Sequence, residues 1–176
     1  MIPFDVIGVI LLGTVLFCAA TDLVTGKIYN VVTFSIIGFG FLYHGFLVDG
    51  NGILFSLLGV AFGCALFFPF FAFGAMGAGD VKLLMAIGAL KGWSFALSTA
   101  LCSLVAGGVI SILVLIYHKR FLKTMKKIWR LVWSLFVPQM KVEMPELKDC
   151  LMAPFGVPIL CGVLLTYFGF VELFGL

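Results

Sequence analysis

Two aspartates in this chain stand where a charge is costly. Asp80 closes the tetrapeptide Gly77-Ala78-Gly79-Asp80, where a nearly unbroken apolar run meets Val81-Lys82-Leu83-Leu84, and Asp22 lies at the end of the first apolar run. Charged side chains in or beside hydrocarbon are rare and as a rule mark a functional site. Two carboxyls at one membrane depth are the parts that an intramembrane aspartic protease needs. Held close together they cannot both ionise comfortably, so one keeps a proton. The ionised member then acts as general base on a water, while the protonated member polarises the scissile carbonyl and later donates to the leaving amine. Such a pair titrates as a unit.

The surroundings of each aspartate admit a plainer reading. Gly74, Gly77 and Gly79 permit close backbone approach and unusual dihedrals, and unwound backbone at membrane depth is tolerated where it lines a water-accessible cavity. The same residues also fit a simple interhelical turn with Asp80 as a helix cap. Thr21-Asp22 followed by Gly26-Lys27 reads equally as an ordinary loop start. Lys27 and Lys82 are either charge partners of the carboxyls or markers of membrane orientation. His44 reads as an interfacial or packing histidine far from the aspartates, and His118 as a solvated one. No Ser-His-Asp, Cys-His or His-Glu-x-x-His arrangement is present, so neither a metal nor another cofactor is expected. Cys18, Cys64, Cys102, Cys150 and Cys161 show no Cys-x-x-Cys spacing. They read as small buried hydrophobes, with Cys150, near a polar loop, the one candidate reactive thiol.

The elements that must hold these residues are membrane helices. Of the 176 residues 63% are hydrophobic and 11% charged, against roughly 25% charged in a soluble domain, and mean hydropathy is +1.25. Apolar runs near the ~20 residues that cross a bilayer recur along the chain. The chain therefore reads as an all-α polytopic membrane protein forming one domain, residues 1–176, with the lipid bilayer as its surroundings. The first run lacks a basic leader and a cleavage pattern, so it is expected to be retained. Spans are predicted at Ile2 to Ala20, Val31 to Val48, Ile53 to Phe73, Val81 to Leu90, Ser94 to Tyr117 and Leu151 to Phe174. Polar breaks fall at Thr21 to Asn30, Asp49-Gly50-Asn51-Gly52, Gly74 to Asp80, Lys91-Gly92-Trp93 and His118 to Lys148.

Val81 to Leu90 reaches only about 15 Å of a ~30 Å hydrocarbon layer. Charge argues that it crosses nonetheless. Lys27, Lys82 and the eight basic residues from Lys119 to Lys148 all belong on the cytoplasmic side. That requires an even number of crossings between Asp80 and His118. Six spans follow, with both termini, Asp5, Asp49 and Glu172 outside, and Lys91 as the exception. Both aspartates then share the cytoplasmic side. Phe121, Leu122, Met125, Ile128, Trp129, Val132 and Trp133 alternate with Lys123, Lys126, Lys127 and Arg130. This is a basic amphipathic pattern, expected on an anionic membrane surface within the cytoplasmic loop 118–150. Basic residues placed between spans argue orientation rather than nucleic-acid binding. Pro154 and Pro158 are expected to kink or unwind the last span.

Gly77-Ala78-Gly79-Asp80-Val81-Lys82-Leu83 resembles the Gly-x-Gly-Asp-x-Lys motif of the type IV prepilin peptidases, a family of membrane aspartic proteases. Asp22 with Ile28-Tyr29-Asn30 resembles the family's first aspartate and its Ile-Pro-Asn, with Tyr29 in place of the proline. Ala153-Pro154-Phe155-Gly156-Val157-Pro158 resembles the Pro-Phe-Gly segment that opens the family's last span. The resemblance implies a leader peptidase acting on prepilin- or pseudopilin-like precursors at the cytoplasmic face of the cell (inner) membrane. It implies Asp22 and Asp80 as the dyad, with Asn30, Gly77, Gly79, Lys82, Pro154, Phe155 and Gly156 as supporting residues. Larger members carry a cytoplasmic domain with paired Cys-x-x-Cys and also methylate the new amino terminus. That domain is missing from this sequence, so peptidase activity without methylation is expected. Presenilin-like proteases have a Tyr-Asp first motif and more spans. Two other classes stand against a protease. A small transporter would place its carboxyls near the midplane and show inverted repeats. A non-catalytic component of a pilus or secretion assembly would not need either aspartate.

Overall fold

The computed structural model describes residues 6–47, 50–117 and 155–169. All regular structure among them is helical: α1 (Val6–Thr25), α2 (Asn30–Leu47), α3 (Gly52–Ala72), α4 (Ala78–Tyr117) and α5 (Gly156–Tyr167). The first three helices and Ala78–Val114 within α4 are long and apolar enough to cross a membrane. The chain is a membrane protein built from such helices. It divides into two compact units, residues 1–107 with 154–176 and residues 108–153. The second contributes the last turns of α4, whose Val109, Ile112, Leu113, Ile116 and Tyr117 are exposed. The site lies wholly in the first. The amphipathic pattern of 118–150, Cys150 and Pro154 lie outside the described residues.

Helix α4 is two helical segments joined at a break. Gly92, at φ 82° and ψ 178°, departs from helical geometry, in a region of φ that disfavours side-chain-bearing residues. Contacts on either side show that the chain reverses there. On the near side, Gly63 faces the Leu84 carbonyl and Gly59 faces Gly88, so residues 78–91 run antiparallel to α3. Beyond the break, Phe95 meets the Tyr167 ring at 6.2 Å, Gly162 faces Thr99 and Ser103, and Gly107 faces Phe155. Residues 93–107 therefore run antiparallel to α5. Gly8 lies against Tyr167 and Gly156 against Asp22, so α5 is also antiparallel to α1. Lys91, at the reversal, stands over the Tyr167 ring at 5.6 Å. The turn expected at Lys91-Gly92-Trp93 is where the chain turns back.

The core is made by α1 (Leu11, Val15, Cys18), Phe67 of α3, the first segment of α4 (Leu83, Leu84, Ile87, Leu90) and α5 (Ile159, Val163), all 2% exposed or less. The segment that carries Asp80 is thus enclosed by other helices, while apolar side chains such as Val24, Phe46 and Leu47 face outward. Without a hydrophobic drive between helices in lipid, small residues that let backbones touch dominate such contacts. Gly59 and Gly88 face each other so closely that a Cβ on either would collide with the partner's backbone. Gly59→Leu or Gly88→Leu is therefore expected to destabilise the bundle by at least ~1–3 kcal/mol. Membrane levels should fall on an immunoblot, whereas Gly38→Leu, with nothing within 4 Å of its Cβ position, should accumulate normally.

The cysteines depart in part from expectation. Cys18 is buried, but Cys64, Cys102 and Cys161 are only partly so, and all four are free thiols.

Candidate active site

Asp22 is placed by a helix that runs further than its sequence suggests. The polar break was expected from Thr21, yet α1 continues to Thr25. The two threonines fit within the helix because their hydroxyls turn back along it. Thr21 Oγ1 donates to the Cys18 carbonyl at 3.0 Å and Thr25 Oγ1 to the Thr21 carbonyl at 2.7 Å. The helix stops at Gly26, whose φ is +63° and whose N–H donates to the Asp22 carbonyl at 2.8 Å, a left-handed C-terminal cap. Asp22 therefore sits in the last turn of α1 and is 8% exposed.

The carboxyl-terminal end of a helix is unfavourable for an anion. The structure offsets this with a second helix. The backbone N–H of Gly156, the first residue of α5, donates to Asp22 Oδ2 at 2.7 Å, so the carboxyl lies at a helix amino terminus, where N–H groups and dipole favour negative charge. Pro158 occupies the third position of α5. It opens the helix instead of kinking it, because first-turn N–H groups have no intrahelical acceptor. Phe155, just before α5, meets Phe67 edge-on at 6.2 Å.

Asp80 lies in the first turn of α4, which begins inside the glycine-rich stretch at Ala78. Its Oδ2 accepts from the Gly77 N–H at 3.0 Å, while its own N–H donates to the Gly77 carbonyl at 3.1 Å. The side-chain bond is one half of a capping box; the other half is missing because Gly77 has no side chain, and a backbone turn bond stands in its place. The simple capping role is thus real, but it occupies one oxygen of a carboxyl that is 6% exposed. Among the three glycines of this stretch, Gly74 takes the left-handed conformation, Gly77 supplies the N–H, and Gly79 makes the close approach.

Both carboxyls are buried, and Asp22 lies within electrostatic range of Asp80. Among the described residues neither Oδ1 takes a hydrogen bond. Two contacts fix the start of α4 against the segment after Asp22. Ile28 packs on Gly79, its Cβ 2.9 Å from where a Gly79 Cβ would stand. Lys82 Nζ donates to Asn30 Oδ1 at 2.8 Å and lies 5.3 Å from the centre of the Phe34 ring. Lys82 is therefore not an ion-pair partner of either aspartate; it ties α4 to the first turns of α2. Removing that tie by Asn30→Ala or Lys82→Ala should lower turnover about 2- to 10-fold, the usual worth of one hydrogen bond, with membrane abundance unchanged by immunoblot.

The sequence singled out Gly77, Gly79, Lys82, Asn30, Phe155 and Gly156, and all of them fall around the two carboxyls or one contact away. Ile28 was seen only as part of a motif, and nothing in the sequence marks it as the residue that fills the space beside Gly79. The Gly156 N–H was equally hidden, since a backbone donor 134 positions away leaves no trace in residue type. Two buried carboxyls are thus each anchored through one oxygen by a backbone N–H.

Neither a curated protein nor a solved structure matches the chain. The model of one family, described as the type IV leader peptidase family, matches residues 9–112. That stretch holds Asp22, Asn30, Gly77, Gly79, Asp80 and Lys82, and over more than half its length the chain thereby belongs to the type IV leader peptidase family.

Proposed function

We propose that this protein is an aspartic endopeptidase that removes the short leader of prepilin- or pseudopilin-like membrane precursors, with Asp22 and Asp80 as its catalytic dyad. The observation that supports this reading is a pair of buried carboxyls, from α1 and α4 and within electrostatic range of each other, in a chain of a peptidase family. One carboxylate takes a proton from water as the oxygen attacks the scissile carbonyl. The other, protonated, donates to the developing oxyanion, and the leaving amine is protonated as the C–N bond breaks. The Gly156 and Gly77 N–H groups hold the two carboxyls while the proton changes places.

The reversal at Gly92 supports six crossings instead of four. Residues 78–91 and 93–107 then traverse the bilayer in opposite senses, and the short first segment lies within a protein-lined interior. Lys27 and Lys82 at the aspartate end support a cytoplasmic location for the site in the cell (inner) membrane. The test is co-expression of a prepilin-like precursor with the wild-type chain or with the Asp22→Asn/Asp80→Asn double variant, the product being sized and its amino terminus sequenced. Cleavage after the leader by the wild type alone is the expected result. A precursor left whole by the wild type, or cut equally by both chains, overturns the reading and favours a non-catalytic assembly component.

A further inference from the structure

We propose that Ser56, held by His44, is a positioning residue that sets the height of Asp80 against Asp22. The inference rests on the peptidase reading above and concerns the far end of the helix that carries Asp80.

There α2, α3 and the first segment of α4 meet on small residues. Gly59 faces Gly88. A Cβ on Gly63 would stand 2.7 Å from the Leu84 carbonyl oxygen, and one on Gly40 would stand 2.8 Å from that of Ala89. A seam of touching backbones holds the helices close, with Ile37, Val60 and Met85 packed around it. One polar group bridges it. Ser56, 0% exposed, places its Oγ 3.0 Å from the Ala89 carbonyl oxygen, 3.2 Å from that of Gly40 and 3.0 Å from His44 Nδ1. His44, also buried, has Nδ1 2.9 Å from the Gly40 carbonyl oxygen.

Proton counting selects one arrangement. Ser56 has a single hydroxyl proton. If His44 Nδ1 carries a hydrogen, it donates to the Gly40 carbonyl and toward the Ser56 oxygen, and the Ser56 proton goes to Ala89. The Gly40 and Ala89 carbonyls then each face a donor. The other tautomer draws the Ser56 proton to Nδ1 and leaves the Ala89 carbonyl without it. Ala89 is three residues before the break at Gly92, where helix-terminal carbonyls lack intrahelical donors. In apolar surroundings an unmet carbonyl is costly. The hydroxyl therefore caps the end of this segment and pins it to α3.

Asp80 lies at the other end of the same segment, about 14 Å away at the ~1.5 Å rise of a helix. Asp22 is tied instead to α1 and, through Gly156, to α5; the Ile28 and Asn30 contacts hold the start of α4 to the chain after α1, and Ser56 adds the bond to α3. A slip of the Asp80 segment along α3 would carry one carboxyl past the other, and a misplacement of ~1 Å can lower turnover about 100-fold.

The experiment uses the full-length chain in detergent with a prepilin-like precursor. Ser56→Ala should lower kcat ~10-fold or more with KM and membrane abundance unchanged, and Ser56→Thr, which keeps the donor, should recover most of it. A second readout needs no catalysis. With the five native cysteines changed to alanine, Ile28→Cys and Gly79→Cys stand in contact, and their oxidation to a disulfide reports the register of α4. Ser56→Ala should slow that cross-link several-fold. His44→Ala, which keeps the Ser56 hydroxyl but not its orientation, should slow it less, and serves alone if Ser56→Ala fails to accumulate. Wild-type kcat in Ser56→Ala, a Ser56→Thr chain as slow as Ser56→Ala, or an unchanged cross-linking rate in the variants overturns the proposal. A wild-type chain that leaves the precursor whole would sink the peptidase reading, whereas the cross-link still decides whether Ser56 sets the register.

Discussion

Asp22→Asn and Asp80→Asn are each expected to lower precursor cleavage at least ~10³-fold while the protein accumulates in the membrane as the wild type does. The substitution keeps the size of the side chain and one carbonyl oxygen. An asparagine in place of Asp22 would still accept from the Gly156 N–H, and one in place of Asp80 from the Gly77 N–H, the contacts that hold the two aspartates now. An amide cannot take up or release the shared proton. Positioned acid–base groups contribute about 10²–10⁴-fold each. In the proposed mechanism the two carboxyls exchange one proton, so the losses should not multiply. The double variant should be no slower than the slower single one, as expected of residues that act as a unit. Initial rates with detergent-solubilised protein, normalised to abundance by immunoblot, provide the measurement. A single variant that retains a tenth of wild-type activity removes that aspartate from the dyad and leaves its carboxyl with a capping role alone.

The sequence pointed to these two residues because the physics that exposes them is local. A carboxyl beside an apolar run is costly wherever the chain later goes, so Asp22 and Asp80 stand out before any fold is known. The break at Gly92 was legible for a similar reason: Lys82 and the basic residues after His118 argued for an even number of crossings between them, and a Lys-Gly-Trp turn was available to make the reversal. The end of α1 was misplaced at Thr21 because threonine reads as a break-former. Whether its hydroxyl turns back along the helix, as at Thr21 and Thr25, is not written in residue type. Most hidden were the long-range contacts. Gly79 was flagged for backbone freedom, but its use is to leave room for Ile28. Lys82 was weighed as a counter-ion, but its partner is the Asn30 amide. Ser56, an unremarked residue in an apolar run, proves to be bonded to the Ala89 carbonyl on a neighbouring helix.

The second large effect follows from the closest of those contacts. Gly156→Ala should lower kcat about 100-fold with little change in KM. A Cβ at this position would lie 2.9 Å from Asp22 Oδ2, 3.0 Å from Asp22 Cβ and 3.2 Å from the Ala19 Cα. The last of these belongs to the α1 backbone, which cannot swing aside as a flexible side chain would. Either α5 moves away from α1 or the Asp22 carboxyl rotates, and in both cases the 2.7 Å bond from the Gly156 N–H is broken or lengthened. Asp22 then loses the helix amino terminus that offsets its place at the end of α1, and the dyad loses its alignment. A displacement near 1 Å is enough for a loss of this size. Gly13→Ala, on the same helix as Asp22 but with nothing within 4 Å of its Cβ position, should leave turnover unchanged. If Gly156→Ala retains wild-type kcat at normal abundance, the α5 N–H does not set the geometry of Asp22. The aspartate would then be positioned by its place on α1 alone, and the part played here by Phe155 would be packing against Phe67 and Gly107.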